Sequence, residues 1–296
     1  MMKFFSLFTG IGGLDIGFEG IADLVGYSEI KKTSIDIFEK YKKGKAKNYG
    51  DIIKIDYSNL PDFDILIGGF PCQSFSLAGL RKGFYDKKQN KGKMIFYIYE
   101  LLLVKKPKYV VLENVKGLLN HNKGKTYRSV FKLLQSVGYN VRVVLLNALY
   151  YGSPQNRERL FFLCSKDDFN KKLPEIVDDS KRFRDIRDMS GNYRELNCEG
   201  RNKEKIEQQR KFNYELIGGY DRVGTLITQY GCGEKAVWEN GFFRYLTPLE
   251  CERLQGFEDG YTEGVSDSAR YWALGNAVNV NVSNYLFKNY LKGLWW

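Results

Sequence analysis

The stretch FDILIGGFPCQSFS, residues 63–76, begins as a buried strand and ends in a turn that carries a thiol. Two turn glycines follow the apolar run 65–67, and a proline stands directly before Cys72. In open parallel sheets, ligands bind in the crevice beyond the carboxyl ends of the strands. A cysteine taken alone is more often a small core residue than a reactive one. The role of Cys72 therefore depends on what else lies at the same edge.

Short apolar runs alternate with helical segments along the first half of the chain. Six runs are typical of buried strands, namely 4–8, 23–29, 63–69, 108–114, 139–148 and 159–165. Residues 94–106 and 126–137 space their apolar side chains at helical intervals, and Gly138 follows as a C-terminal cap. This alternation predicts an α/β protein with a doubly wound, mostly parallel sheet.

The character of the sequence changes after Ser165. The following segment is polar and charge-dense, but it keeps enough apolar side chains for a small lobe. A helix is then predicted to begin at Pro248, because Thr247 and Glu250 fit a T-x-x-E capping box. A last amphipathic helix is predicted within 275–286. We therefore expect three parts: a first domain, a smaller lobe and a C-terminal segment that returns to the first domain, covering 1–165, 166–243 and 244–296.

Composition restricts the class of protein. Of the 296 residues, 43% are hydrophobic and 27% are charged, which is typical of a globular chain. No apolar run approaches the ~18 residues of a membrane-spanning helix. The opening residues lack the apolar region and cleavage site of a signal peptide, so a cytoplasmic location is expected. The net charge of +11 suits a polyanionic partner, although a solvated lysine-rich surface would give the same balance.

Cysteine and histidine usage limits the available chemistry. The five cysteines form no C-x-x-C pair and stand at 72, 164, 198, 232 and 251. Neither a disulfide framework nor a zinc site of the usual kind is expected from this spacing. The single histidine, His121, lies in a polar loop, which argues against a Cys-His couple. We expect the chemistry to proceed without a metal ion or a histidine.

A glycine-rich loop is predicted at the same edge as Cys72. The segment SLFTGIGGLDIGF (6–18) follows the first strand, and its glycines allow a ligand to approach the backbone closely. Glu29 stands 19 residues after Gly10, at the end of the second strand, where a carboxylate can bind ribose hydroxyls. The loop lacks the G-x-G-x-x-G pyrophosphate pattern. A nucleoside cofactor without a pyrophosphate therefore fits better than NAD.

A carboxylate is also predicted at this edge of the sheet. The strand KYVVLEN (108–114) places Glu113 at its carboxyl end, where an isolated carboxylate is as often a turn cap as a reactive group. Beside Cys72, however, it supplies an acid next to a soft nucleophile. This pair suits addition of a thiolate to carbon 6 of a pyrimidine, with protonation at N3, which activates carbon 5 towards a sulfonium methyl group.

In the order of its motifs, the sequence resembles the bacterial DNA (cytosine-5)-methyltransferases, which use S-adenosylmethionine. The resemblance rests on the segments SLFTGIGGLDIGFE (6–19), GGFPCQSFS (68–76), LENV (112–115), PQNRERLFFL (154–163), LTPLECERLQGF (246–257) and GNAVNVNV (275–282). It implies a Rossmann-like methyltransferase fold in which 1–165 is the catalytic and cofactor-binding domain and 166–243 the target-recognition lobe. It also implies methylation of a cytosine flipped out of duplex DNA.

The resemblance implies roles for individual residues. Cys72 would be the nucleophile and Glu113 would engage N3 and the exocyclic amine of cytosine. Arg157 and Arg159 would position the base and the neighbouring Glu or phosphate. The implied cofactor-binding residues are Phe8, Thr9, Gly10, Ile11, Gly12, Gly13, Leu14, Glu29, Ile30, Asp51, Ile52, Gly69, Pro71, Met94, Asn276, Ala277 and Val278. The implied DNA-binding residues are Gln73, Ser76, Arg81, Lys82, Gln155, Gly218, Gly219, Tyr220 and Thr225.

The chain departs from the family pattern at two places. After the Cys72 loop it has DKKQNKG (86–92) where relatives often have Asp-x-Arg-Gly, so lysines would hold the phosphate as point charges. The 166–243 lobe is also short, which favours a small target site. The expected partner is double-stranded DNA, with a monomeric enzyme and no membrane. The enzyme would either belong to a restriction–modification system, with a restriction endonuclease acting on the same site, or be an orphan methylase.

Three other classes of protein remain as alternatives. An RNA cytosine-5 methyltransferase would share the fold, Cys72 and Glu113, but the size of the 166–243 lobe favours duplex DNA. A non-catalytic nucleic-acid-binding relative would be expected to have lost one of these two residues. An NAD-linked oxidoreductase would require the glycine fingerprint that this sequence lacks.

Overall fold

The structure is a computed structural model that describes residues 1–71, 94–168, 178, 180–191, 215–218, 221–228, 235–239 and 242–291. Its strands are β1 (Met2–Leu7), β2 (Ala22–Ser28), β3 (Lys47–Asn48), β4 (Ile65–Gly69), β5 (Tyr109–Val115), β6 (Asn140–Asn147), β7 (Gln155–Asn156), β8 (Glu158–Ser165), β9 (Glu215–Ile217), β10 (Val223–Gly224), β11 (Lys235–Glu239) and β12 (Phe242–Arg244).

The α-helices are α1 (Lys32–Lys42), α2 (Met94–Lys105), α3 (Lys125–Ser136), α4 (Pro248–Gln255), α5 (Asp267–Asn276) and α6 (Val280–Tyr285). Short 3-10 helices span Asp15–Phe18, Ile52–Lys54, Tyr57–Asn59, Lys116–Leu119, Ala148–Tyr150 and Phe183–Asp185, and a π-helix spans Leu286–Leu291. No helix in the described part of the chain is long and apolar enough to cross a membrane.

The largest sheet has seven strands in the order β3-β2-β1-β4-β5-β8-β6. The pairs from β3 to β5 are parallel, and β8 runs antiparallel to both of its neighbours. Chain order reverses direction between β1 and β4, which makes that position the topological switch point of a doubly wound sheet. The predicted doubly wound, mostly parallel sheet is confirmed.

The central strands are buried on both faces, which explains their continuous apolar runs. The first core cluster joins Leu66 of β4 to Ile98 of α2 and Leu134 of α3. Ile67, the next residue of β4, belongs to the second core cluster together with Phe287. Because successive side chains of a strand point to opposite faces, the two clusters cover the two sides of the sheet.

The capping residues in the sequence predicted the start of α4 correctly. The N-terminus of α4 has the predicted capping box, in which the Thr247 hydroxyl accepts from the Glu250 N–H at 3.1 Å. The Glu250 carboxylate accepts in return from the Thr247 N–H at 2.9 Å. The last helix begins only at Val280, because the Asn279 side chain caps it. Gly275 and Asn276 instead form the end of α5, a helix that was not predicted from the sequence.

A smaller sheet contains β12, β11 and β9, in that order, and β10 pairs separately with β7. A third core cluster joins this region to the rest, and it includes Val223, Leu226, Leu254, Tyr271 and Ile11. Segments within 166–243 therefore pack against α4, α5 and the loop after β1. The predicted domain boundaries themselves stay a prediction.

Candidate active site

A cavity of about 480 Å³ lies beyond the carboxyl ends of β1, β4 and β5, at the switch point of the sheet. This volume is within the range of small-molecule sites. The predicted residues in its wall are Phe8, Thr9, Gly10, Gly13, Leu14, Glu29, Gly69, Pro71, Glu113, Arg157, Arg159, Asn276, Ala277 and Val278. The structure thus brings together residues from six separated segments of the chain.

The other predicted residues are either outside the described part of the chain or outside the described wall of this cavity. Those outside the described residues are Cys72, Gln73, Ser76, Arg81, Lys82, Gly219 and Tyr220. The predicted cofactor-binding residues that are described but outside the wall of this cavity are Ile11, Gly12, Ile30, Asp51, Ile52 and Met94. Ile11 and Ile52 are buried in core clusters, at 1% and 2% exposure, so their predicted contact with a cofactor is not supported here.

Local contacts explain the positions of Gly12, Asp51 and Met94, and the fourth residue, Ile30, is exposed to solvent. An added Cβ on Gly12 would lie 2.5 Å from the Phe38 ring, so this glycine allows α1 to approach the loop. Asp51 caps the following 3-10 helix by accepting from the Ile53 N–H at 3.1 Å. The Met94 side chain packs against the first core cluster, whereas Ile30 is 71% exposed. Their cofactor contacts stay predictions.

Glu29 organises the glycine-rich loop. Its Oε2 accepts from the Gly10 N–H at 2.8 Å, and its Oε1 accepts from the N–H groups of Ile30 and Lys31, each at 2.8 Å. Gly10 has a φ of +58°, and the space that its side chain would occupy is open. Since each carboxylate oxygen can accept more than one hydrogen bond, Glu29 can still bind ribose hydroxyls.

Glu113 and Arg159 form an ion pair in the cavity wall. The Nε of Arg159 lies 3.0 Å from Oε1 of Glu113, and both side chains are largely buried. Burial raises the pKa of Glu113, while the positive charges of Arg159 and Arg157 oppose the shift. A buried carboxyl group that retains its proton above the usual pH range suits a proton donor.

Arg157 lies in the cavity wall, and its described hydrogen bonds join it to the protein main chain. Its side chain is 2% exposed, and its guanidinium donates to the main-chain carbonyls of Leu226 at 3.1 Å, Gly275 at 3.0 Å and Ala277 at 2.7 Å. These bonds direct the guanidinium to protein main chain, and its contact with the base stays a prediction. Arg157 therefore joins the 223–228 segment to the cofactor end of the cavity.

The structure corrects the DNA contact predicted for Gln155. This side chain is fully buried, and its amide donates to the carbonyl of Leu254 at 3.1 Å. Its Oε1 accepts from the Leu226 N–H at 3.1 Å. Gln155 therefore stabilises the packing of β7 against the 223–228 segment and is not available to DNA.

Two other predicted DNA-binding residues make local contacts. The Thr225 hydroxyl donates to the Asn156 carbonyl at 2.7 Å, and the Gly218 N–H donates to the Asp221 carboxylate at 2.6 Å. Both contacts are local to the protein chain. DNA contacts by Thr225 and Gly218 stay predictions.

Sequence reasoning missed ten residues of the described wall, among them Asp15, Ser34 and Trp272. Asp15 is fully buried, and neither carboxylate oxygen has a hydrogen-bond partner in the described part of the chain. Burial raises the pKa of Asp15 to about 7, although the Ser6 hydroxyl and the Lys42 ammonium oppose the shift. Asp15 lay within the quoted glycine-rich loop, but nothing in the pattern indicated its burial.

The first prediction concerns the pH dependence that Asp15 causes. The pKa of about 7 in the folded protein exceeds the ordinary value of 3.8, so the folded state binds the proton more tightly. Stability must then increase as pH falls, by about 1.4 kcal/mol between pH 8 and pH 6 for this group. Asp15→Asn should remove that increment from the free energy of unfolding in urea. Glu19→Gln, which alters a partly exposed carboxylate on the same segment, should retain it. Equal pH dependence in Asp15→Asn and wild type would contradict the assignment.

The second prediction concerns the contact between α5 and the 223–228 segment. A Cβ on Gly275 would lie 2.5 Å from the Ile227 carbonyl oxygen, and a main-chain atom cannot move aside cheaply. Gly275→Ala should lower the free energy of unfolding by about 1–3 kcal/mol, the usual cost of overpacking. In Gly117→Ala the nearest neighbouring atom is 3.9 Å away, so that control should stay close to wild type. Urea titration of both variants measures the difference.

Comparisons with known proteins define the class. The sequence matches the family described as C-5 cytosine-specific DNA methylase over residues 2–225 and 200–292. Type II methyltransferase M.NlaX of Neisseria lactamica is 37% identical, over 95% of this chain and 94% of the relative. Type II methyltransferase M.Bsp6I of Bacillus sp. (strain RFL6) is 34% identical, over 99% and 100%. The S. pombe Dnmt2 methyltransferase structure has a TM-score of 0.77 and 20% identity, and covers 100% of both chains. That likeness shows the fold alone.

The chain belongs to the C-5 cytosine-specific DNA methylase family. It is a DNA (cytosine-5)-methyltransferase with a Rossmann-like methyltransferase fold, and the family is S-adenosylmethionine-dependent. The predicted family, enzyme class and fold class are therefore confirmed.

Proposed function

We propose that the protein transfers a methyl group from S-adenosylmethionine to carbon 5 of a flipped-out cytosine, through a covalent adduct between Cys72 and carbon 6. The target is a short, specific sequence in duplex DNA. One observation carries the proposal. The Glu113–Arg159 pair lies in the wall of a cavity that also includes Pro71, the residue directly before Cys72.

The residues at the other end of the cavity fit the cofactor. The open space at Gly10 accepts a ligand close to the backbone, and the Glu29 carboxylate has acceptor capacity for the ribose hydroxyls. Asn276, Ala277 and Val278 border the same space. When bound, S-adenosylmethionine supplies the electrophilic methyl group.

The protein side chains supply the remaining chemistry. The Cys72 thiolate adds to carbon 6 of cytosine while the Glu113 carboxyl donates a proton to N3, and carbon 5 becomes nucleophilic and takes the methyl group. A base then removes the proton from carbon 5, the bond between sulfur and carbon 6 breaks, and the N3 proton returns to Glu113. Arg159 holds the Glu113 carboxyl in place throughout.

The substrate must leave the duplex to reach this cavity, because carbon 6 is inside the base stack. Flipping a base costs a few kcal/mol, which contacts with the DNA backbone can offset. The 46 lysines and arginines, which give the chain its net charge of +11, can make such contacts. We assign target reading to the 166–243 lobe and methyl transfer to 1–165 with 244–296.

The relatives named Type II methyltransferases support a place in a restriction–modification system. The partner would be a restriction endonuclease that cleaves the same sequence, and the methyltransferase would act as a monomer. Its role would be to protect the DNA of the host at that sequence.

Bisulfite sequencing of a plasmid from expressing cells tests the proposal, because it reads the target and the activity together. We expect complete conversion resistance at one cytosine of a short recurrent sequence. Incubation of the purified enzyme with duplex DNA and with tRNA then separates the two substrate classes. Methylation of tRNA alone would contradict the proposal.

A further inference from the structure

Trp272 forms part of the cavity wall, and the mechanism above does not use it. It lies on α5 between the buried residues Tyr271 and Ala273, and its side chain packs partly against the third core cluster. One turn further along the helix, the Asn276 side-chain amide donates to the Trp272 carbonyl at 3.0 Å. The helix therefore contributes Trp272 and the predicted cofactor residue Asn276 to the same wall.

The indole lies close to the turn that carries Glu29. The Nζ of Lys31 is 5.0 Å from the centroid of the Trp272 ring. The Lys31 N–H donates to Oε1 of Glu29 at 2.8 Å. The carboxylate and the indole therefore border the same end of the cavity.

The indole supplies a flat apolar surface at that end. The other aromatic residues in the described wall are Phe8 and Phe70, and both pack against the first core cluster. Trp272 instead packs against the third core cluster and is only partly buried. Small-molecule sites combine such apolar surfaces with a few fixed polar groups, and indoles pack well against nucleobases.

We propose that Trp272 is a cofactor-binding residue whose indole packs against the adenosine part of S-adenosylmethionine while Glu29 binds the ribose hydroxyls. The inference rests on the proposed function, because it requires a nucleoside cofactor in this cavity. It adds an aromatic contact to Asn276, Ala277 and Val278, which the C-terminal segment already contributes to the wall. Closure of the cofactor end would then depend on α5.

Calorimetry with two ligands tests which part of the cofactor the indole contacts. S-adenosylhomocysteine and methylthioadenosine share the adenosine part, but only the first carries the amino-acid group. Trp272→Ala should weaken binding of both ligands about tenfold or more, as expected for loss of a stacking contact. Trp272→Phe should retain most of the affinity. Unchanged binding in Trp272→Ala would overturn the proposal, and so would a loss confined to S-adenosylhomocysteine.

Tryptophan fluorescence gives a second readout that does not depend on the alanine variant. S-adenosylhomocysteine should change the emission of the wild-type protein, and Trp272→Phe should abolish that change. Trp238 lies on β11, outside the described cavity wall, so the matched control Trp238→Phe should keep the change. An unaltered response in Trp272→Phe would overturn the proposal.

The same measurements distinguish failure of the proposed function from failure of the role of Trp272. If the wild-type protein binds neither ligand, the cofactor site of the proposed function is wrong. If the wild type binds both and Glu29→Ala weakens binding, but both Trp272 variants match the wild type, only the role of Trp272 is wrong. Melting temperatures of all variants show whether each one is folded.

Discussion

Cys72→Ala should abolish methylation completely, because carbon 6 of cytosine then has no nucleophile and carbon 5 is not activated. A duplex with 5-fluorocytosine at the target position tests the covalent step directly. Fluorine replaces the proton that must leave carbon 5, so the methylated adduct cannot release the sulfur. With S-adenosylmethionine present, the wild-type enzyme should give a denaturant-stable protein–DNA band, and Cys72→Ala should give none.

The other cysteines provide matched controls for this experiment. Cys164 and Cys251 are both buried, and burial raises the pKa of the Cys164 thiol, which disfavours a thiolate there. Replacement of Cys164, Cys198, Cys232 or Cys251 should leave the band in place. Mass spectrometry should locate the nucleotide on the peptide that contains GGFPCQS. An adduct on another cysteine, or methylation without any adduct on this substrate, would refute the assignment to Cys72.

The parts of the fold that could be predicted are those with strong local signals. The strands β4 and β5 are buried on both faces, so their sequences are continuously apolar over 65–67 and 109–112. The start of α4 was also correct, because a capping box depends on residues three positions apart. In contrast, β3 has only two residues, too few for a pattern, and α1 was not identified from the sequence although it buries Ser34, Ile37 and Phe38 on one face.

The parts of the site that could not be predicted depend on contacts between distant segments. Arg157 stands in a motif with Arg159, and their proximity in sequence suggested a shared role at the base. The Arg157 bonds to Leu226 and Gly275 cross 69 and 118 residues of chain, and no local pattern records them. The burial of the Asp15 carboxylate could not be predicted for the same reason, since the 3-10 helix that contains it packs against α6 and the π-helix at the other end of the described chain.

Glu113 allows a second test of the chemistry, independent of the thiol. Glu113→Gln keeps the shape of the side chain, and its amide oxygen can still accept from Arg159, whose Nε lies 3.0 Å from the carboxylate. The variant cannot donate the proton to N3. The methylation rate should therefore fall by about 10²-fold or more, the usual cost of losing a general acid. Binding of S-adenosylhomocysteine should change little, because Glu29 and the glycine-rich loop form the proposed nucleoside end of the cavity.

The control for this test is Glu158→Gln, which removes a carboxylate from β8 that pairs with Lys116 at 2.7 Å instead of with Arg159. It should methylate at close to the wild-type rate. A pH profile adds a further criterion. Because burial raises the pKa of Glu113, the wild-type rate should fall at high pH as this carboxyl loses its proton, and Glu113→Gln should lack that decline. If Glu113→Gln turns over at a near-normal rate, or if its profile keeps the same decline, then the carboxyl is not the acid that protonates cytosine. Its ion pair with Arg159 would then only support the wall of the cavity.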